Sequence, residues 1–172
     1  MNYRIFSLIA LMTGICLMQP LGRLSAADEE KNDQNFFSGP VLLTPGQQQY
    51  TVCATNAALL AHTSNRPSHV LLALLDASTS RILAVREAAL NPAGQGTSGD
   101  CLTVSATALI TAANSQGPIN VIAAAGNSLS AAQGFLIEGA GGIPGGGCIT
   151  ASLQAGDVDG NVRYIPMAQH IH

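Results

Sequence analysis

The sequence has no tryptophan and a single lysine, Lys31, and charged residues make up only 10% of its 172 positions. Each shortage removes a class of function. Nucleic acid is held by clustered lysine and arginine that displace condensed counterions; the arginines here are scattered, so no nucleic-acid partner is expected. A polybasic membrane patch is excluded by the same count. Beyond the N-terminal segment the aromatics are Phe36, Phe37, Tyr50, Phe135 and Tyr164, too few for a sugar-stacking face. The four cysteines form no CxxC pair and no cysteine–histidine spacing of the kind that holds zinc. The glycine run GAGGIPGGG, residues 139–147, contains no lysine and has no GxGxxG spacing, so it does not form a phosphate cradle.

What is present begins with an export pattern. Arg4 supplies a positive n-region, residues 5–18 are apolar, and Ser25-Ala26-Ala27 offers small residues at a cleavage site. Gln19, Pro20 and Arg23 interrupt the apolar run before the roughly 20 residues that a membrane span needs. We therefore expect a signal peptide over residues 1–27 and a secreted, periplasmic or cell-surface protein. Cys16 follows Ile15, whereas a lipobox wants a small residue there, which argues against lipidation. Removal of this segment takes Arg4 and Arg23 with it and leaves all ten carboxylates facing Lys31 and four arginines, an acidic domain.

Residues 28–38 read as a polar leader and residues 168–172 as a tail, with one domain between them over residues 39–167. Within it the apolar residues alternate with a period of two, which is the signal of half-buried strands. Residues 39–44 make a short strand that Pro45-Gly46 turns. Residues 49–56 make a second, in which Tyr50, Val52 and Ala54 alternate with Thr51, Cys53 and Thr55. Residues 68–90, SHVLLALLDASTSRILAVREAAL, are two apolar runs around a polar knot at Asp76. They read as a β-hairpin, with a helical hairpin as the alternative because Leu and Ala favour helix and Pro92 would stop one. The alternation of Leu102, Val104, Ala106, Ala108 and Ile110 with Thr103, Ser105 and Thr107 predicts a strand through residue 110. Further runs follow at residues 119–125, 134–138, 148–155 and 162–166. Short strands with Gly, Pro, Asn and Asp between them predict an all-β antiparallel sandwich of about seven to nine strands.

Cys53, Cys101 and Cys148 remain after cleavage, and an exported chain meets an oxidising compartment, so one disulfide and one leftover thiol are expected. All three share the phase of threonine and serine neighbours and so point away from the predicted core. The bridge should therefore lie on an outer face, unlike the core-crossing bridge of immunoglobulin domains. Cys53 lies late in its strand whereas Cys101 and Cys148 open theirs, which makes Cys53 the shared partner of the favoured pairings. Cys53–Cys101 ranks slightly above Cys53–Cys148, and Cys101–Cys148 last.

No catalytic or metal-binding residue emerges. Asp157-Val158-Asp159-Gly160-Asn161 opens like a calcium loop, but the sixth and twelfth places, Val162 and Ala168, break the EF-hand pattern. A hairpin turn matching that at Asp76 is the simpler reading. Ser98, in Gly96-Thr97-Ser98-Gly99-Asp100, looks like a serine-protease nucleophile, yet Asn114 stands where that family's histidine would be and follows the serine. Ser128 lies in Gly126-Asn127-Ser128-Leu129-Ser130, which breaks a GxSxG elbow at its last place. His62, His69, His170 and His172 are the whole imidazole supply, and none is spaced for a site. The chain is expected not to be an enzyme and to need no cofactor.

Taken together, Pro45-Gly46-Gln47, Val52-Cys53-Ala54-Thr55-Asn56, Leu74-Leu75-Asp76-Ala77 and Ala151-Ser152-Leu153-Gln154 resemble exported bacterial β-sandwich (immunoglobulin-like) proteins of uncharacterised role. The resemblance implies a sandwich, export and cell-surface association, and it transfers no active site. The expectation is a structural or protein-interaction module that meets a protein partner through an edge strand or the odd cysteine. The alternative is a periplasmic protein that binds a small ligand or calcium at its acidic turns.

Overall fold

The computed structural model describes residues 33–43, 48–57, 67–92, 96–139 and 149–170. The segment expected to be a signal peptide, the turn expected at Pro45-Gly46, His62, the glycine run beyond Gly139, Cys148 and His172 lie outside the described residues. In chain order the elements are β1 (Asn35–Ser38), β2 (Val41–Leu43), β3 (Gln49–Asn56), β4 (Ser68–Asp76), β5 (Ile82–Leu90) and β6 (Gly99–Ser105). They continue as α1 (Ala106–Ala112), β7 (Ile119–Gly126), β8 (Leu129–Ala132), β9 (Phe135–Glu138), β10 (Ile149–Gly156), β11 (Val162–Ile165) and β12 (Met167–His170). The domain is all-β and antiparallel, as expected, with one short helix.

Two sheets form the sandwich. One runs β12-β1-β7-β4-β5, with β2 also on β7, and the other runs β11-β10-β3-β6. Between them lie Tyr50, Val52 and Ala54 from β3, Val70, Leu72 and Leu74 from β4, Ala123 and Ala125 from β7, and Leu153 from β10. Three of these nine are alanine, and there the layers meet over little apolar area and depend on close approach.

A third layer explains β4. Its Val70 to Leu75 run is apolar at every position, which a strand with one wet face does not tolerate. Leu71, Ala73 and Leu75 turn away from the sandwich and are buried with Leu129 and Leu136 of the β8–β9 hairpin. That hairpin closes through Gln133 and Gly134, both with positive φ (52° and 82°). This is the twist a two-residue hairpin loop requires, with Gly134 adopting it at no steric cost. The β-hairpin expected at residues 68–90 is present, pairing Ser68 with Leu90 and closing near Leu75 and Ile82.

Three expectations are corrected. The strand expected to run through residue 110 stops at Ser105, whose side chain accepts a hydrogen bond from the Ala108 N–H at 3.1 Å and caps α1. In the helix Ala106 and Leu109, three apart, are buried together, so alternating Ala and Thr was compatible with either period. The leader ends earlier than expected: Asn35–Ser38 is a strand paired with β12 along its length and with β7 over Asn35 to Phe37. The tail is likewise the strand β12, so the domain extends beyond residues 39–167 at both ends.

Candidate functional site

The most distinctive local geometry lies where β1 and β12 part. They pair Asn35 with His170 and run in register to Ser38 with Met167. Continued one residue at a time, that register would set Gly39 opposite Pro166, Pro40 opposite Ile165 and Leu42 opposite Arg163. The pairing stops instead. β2 stays in the first sheet on β7, while β11 crosses to the second sheet and pairs with β10.

The sequence supplies reasons for the split. Neither Pro40 nor Pro166 has an N–H to give to a ladder. The register on β7 also slips by one. β1 sets Asn35 against Gly126, whereas β2 sets Val41 against Val121, so the first line carries one extra residue, a β-bulge between Ser38 and Val41. Ser38 bridges it, its hydroxyl accepting from the Ala123 N–H at 2.9 Å and donating to the Gly39 carbonyl at 2.9 Å.

The resulting fork opens onto a cavity of about 500 Å³ lined by Gly39, Pro40, Val41, Leu42, Arg163, Ile165 and Pro166. Among the described residues β2 pairs only with β7, which leaves its other edge without a strand. Direct cross-strand partners share a face of a sheet. Tyr50, Ala155 and Arg163 form one such row, and Leu153 and Ile165 belong to another. Tyr50 and Leu153 are buried in the core, so Arg163 and Ile165 are on the side of their strand that faces the first sheet, across the fork. Burial raises the Tyr50 phenol above its ordinary value, and the nearby Arg163 charge opposes that rise. Tyr164 and Val162, on the other side of β11, are 71% and 52% exposed, and Leu42 is 52% exposed.

Behind the fork the chain is firmly tied. The Gln34 N–H donates to Asn127 Oδ1 at 2.7 Å, and Gln34 Oε1 accepts from Ile149 N–H of the other sheet at 2.6 Å. Asn35 Nδ2 donates to Ser128 Oγ at 2.8 Å. Gly126 faces this cluster so closely that a Cβ there would fall 2.2 Å from Asn35 Oδ1.

The residues singled out from the sequence are dispersed. Cys53 and Cys101 form the disulfide, directly opposite each other on β3 and β6 with Cα atoms 4.1 Å apart. It is the favoured pairing, on an outer face and within one sheet. Ser128 is buried and its oxygen accepts from the Asn35 side-chain amide, with no base beside it among the contacts of the described residues. The carbonyl of Ser98 accepts from Asn56 N–H at 2.7 Å, a strand-end contact. Asn114 follows α1 with φ of 55°, a left-handed residue at a helix end. His69 is exposed on β4, while His170 on β12 lies 3.5 Å from Glu138 Oε1 and edge-on to Phe37.

Both acidic turns serve themselves. Asp76 Oδ1 accepts from the Ser78 N–H and hydroxyl, and its Oδ2 from the Thr79 hydroxyl. Asp157 Oδ1 accepts from the Asp159 and Asn161 N–H groups, and its Oδ2 from Asn161 Nδ2. These donors hold both carboxyls below their ordinary pKa. A cation at either turn would compete with them. No cluster of three or more metal-ligating side chains occurs among the described residues.

The chain matches no known family model, no curated protein and no solved structure. The fork therefore has to be read on its own chemistry. Sequence reasoning missed it because it exists only through register: no residue of Gly39 to Leu42 contacts Arg163 to Pro166 in sequence order. The signal that was available is the pair of prolines, each following a short polar or apolar strand.

Proposed function

We propose that this domain is an exported, non-catalytic interaction module that takes an extended segment of a partner protein into the fork as an added strand beside β2. The supporting observation is that, among the described residues, no strand continues the line of β12 beyond Met167 to pair with the β2 edge. Main-chain hydrogen bonds along such an edge give affinity independent of sequence, and pockets between the sheets give preference. Two of the other outer strand edges carry charged residues that discourage docking: β5 presents Arg86 and Glu87, and β6 presents Asp100. Export fits the same reading, because a disulfide on an outer face is kept in an oxidising compartment.

Panning the oxidised domain against random heptapeptides displayed on phage, then mapping the selected peptides by amide chemical shifts, tests it. Perturbations centred on residues 39–43 and 163–166 are expected. Absence of selected peptides, or binding centred on β5 and β6, would contradict the proposal.

A further inference from the structure

We infer that the segment accepted at the fork carries an aspartate or glutamate placed to meet Arg163, beside an apolar residue that meets Val41 and Ile165. The inference rests on the reading of the fork as a strand-accepting edge and adds what the strand must carry. Arg163 is the only charged residue among those lining the opening, and its row on β11 faces the first sheet. Among the described residues no carboxylate forms an ion pair with it. The nearest acidic turn, at Asp157, lines an adjoining cavity of about 250 Å³ together with Arg163, but its two oxygens are committed to Asp159 and Asn161. An arginine fork offers several donors in a fixed plane that matches a carboxylate, and a carboxylate brought between the two sheets meets it in a medium less polar than water.

The alternation along β11 that places Arg163 inward also places Ile165 inward two residues on, with Val41 buried on the facing strand. A strand docked here would alternate, so positions two apart on its inward face would be one acidic and one apolar. Val162 and Tyr164, on the opposite side of β11, take no part. A basic segment would leave Arg163 facing a like charge, and a neutral one would leave it without a partner as water is displaced.

The test uses the heptapeptides selected on the oxidised domain, each remade with its acidic residue changed to the matching amide or to lysine, with binding followed by fluorescence polarisation. Selected sequences are expected to share one Asp or Glu at a fixed position. Its amide form should bind about tenfold more weakly, and the loss should shrink as salt is raised. Arg163→Gln should erase the difference between acid and amide, and Arg163→Glu should reverse the preference toward the lysine peptide. Arg86→Gln should leave both unchanged. A merely structural role for Arg163 would weaken all peptides equally and reverse nothing. Neutral peptides that map to the fork with equal affinity overturn the charge assignment and leave the strand-accepting reading standing. Failure of all peptides to map there removes both. Concentration-dependent dimerisation that Arg163→Gln abolishes would assign the fork to a second copy of the chain and overturn the inference.

Discussion

The two long sides of the sandwich are built on opposite plans. On the β5–β6 side the strands are fastened to their neighbours. The Cys53–Cys101 bond ties β6 to its neighbour, Arg86 on β5 reaches Asp100 on β6 at 2.9 Å, and Arg81 Nη2 donates to the Ala112 carbonyl at the end of α1. On the β11–β12 side a single strand line runs from one sheet to the other through Pro166, and beyond that crossing the sheets diverge around an opening. The open side is the one proposed above to take a partner.

The largest effect should come from undoing the fastened side. Changing both Cys53 and Cys101 to serine releases a cross-link over 48 residues of separation. The loop-entropy relation puts that at about 4 kcal/mol. Urea unfolding should show the lower midpoint with a steeper m-value, since the unfolded chain becomes less constrained. An unchanged midpoint would mean that the bond fastens nothing. Next is Gly126→Ala, which pushes a methyl against Asn35 Oδ1 and the Gln34 backbone at the tied end of the open side. Overpacking of this kind costs about 1–3 kcal/mol, read as a fall in Tm. If the variant is as stable as the parent, the β1–β7 approach is looser than described. Arg86→Gln breaks an ion pair whose side chains are 53% and 25% exposed, so calorimetry should find a loss below about 1 kcal/mol.

Acid should act on the two turns more gently. Asp76 and Asp157 have folded pKa values below the ordinary carboxylate value near 4. A depressed folded pKa contributes stability that is fully present above the unfolded value and lost as pH falls through the folded one. Stability should therefore be level in this respect above about pH 5 and decline below about pH 4. Asp76→Asn and Asp157→Asn should each flatten that acid limb in pH-dependent urea titrations. An unaltered limb would show that the turn hydrogen bonds are not formed in solution. Smallest of all, Arg163→Gln should move stability by less than about 0.5 kcal/mol, because Arg163 is exposed at an edge and serves binding.

The sequence was legible where one physical cause acted at a time. Residues 49–56 alternate because one face of β3 is buried and the other is not, and the phase of Cys53 and Cys101 followed from the same alternation. The hairpin at residues 68–90 was legible because Asp76 interrupts two apolar runs. The uniform apolar run of β4 carried a second message, a covering layer on its outer face, that only the β8–β9 hairpin explains. α1 was misread because small residues at two-residue spacing also satisfy a helix with one narrow buried stripe, and Ser105 as a cap decides between them. β1 and β12 are four residues each, too short for period to speak, and they are stable because they pair with one another across most of the chain. The fork depends on that long-range register and on a one-residue bulge, neither of which leaves a local pattern.

Native-state amide hydrogen exchange on the oxidised domain, free of any partner, tests the central claim most directly. The amides of residues 41–43 that point away from β7 should exchange orders of magnitude faster than those of β3, β4 and β7, while Asn35 to Phe37 remain protected on both sides. Uniform protection from Asn35 through Leu43 would show that the edge is already covered, and the fork would then not be a site.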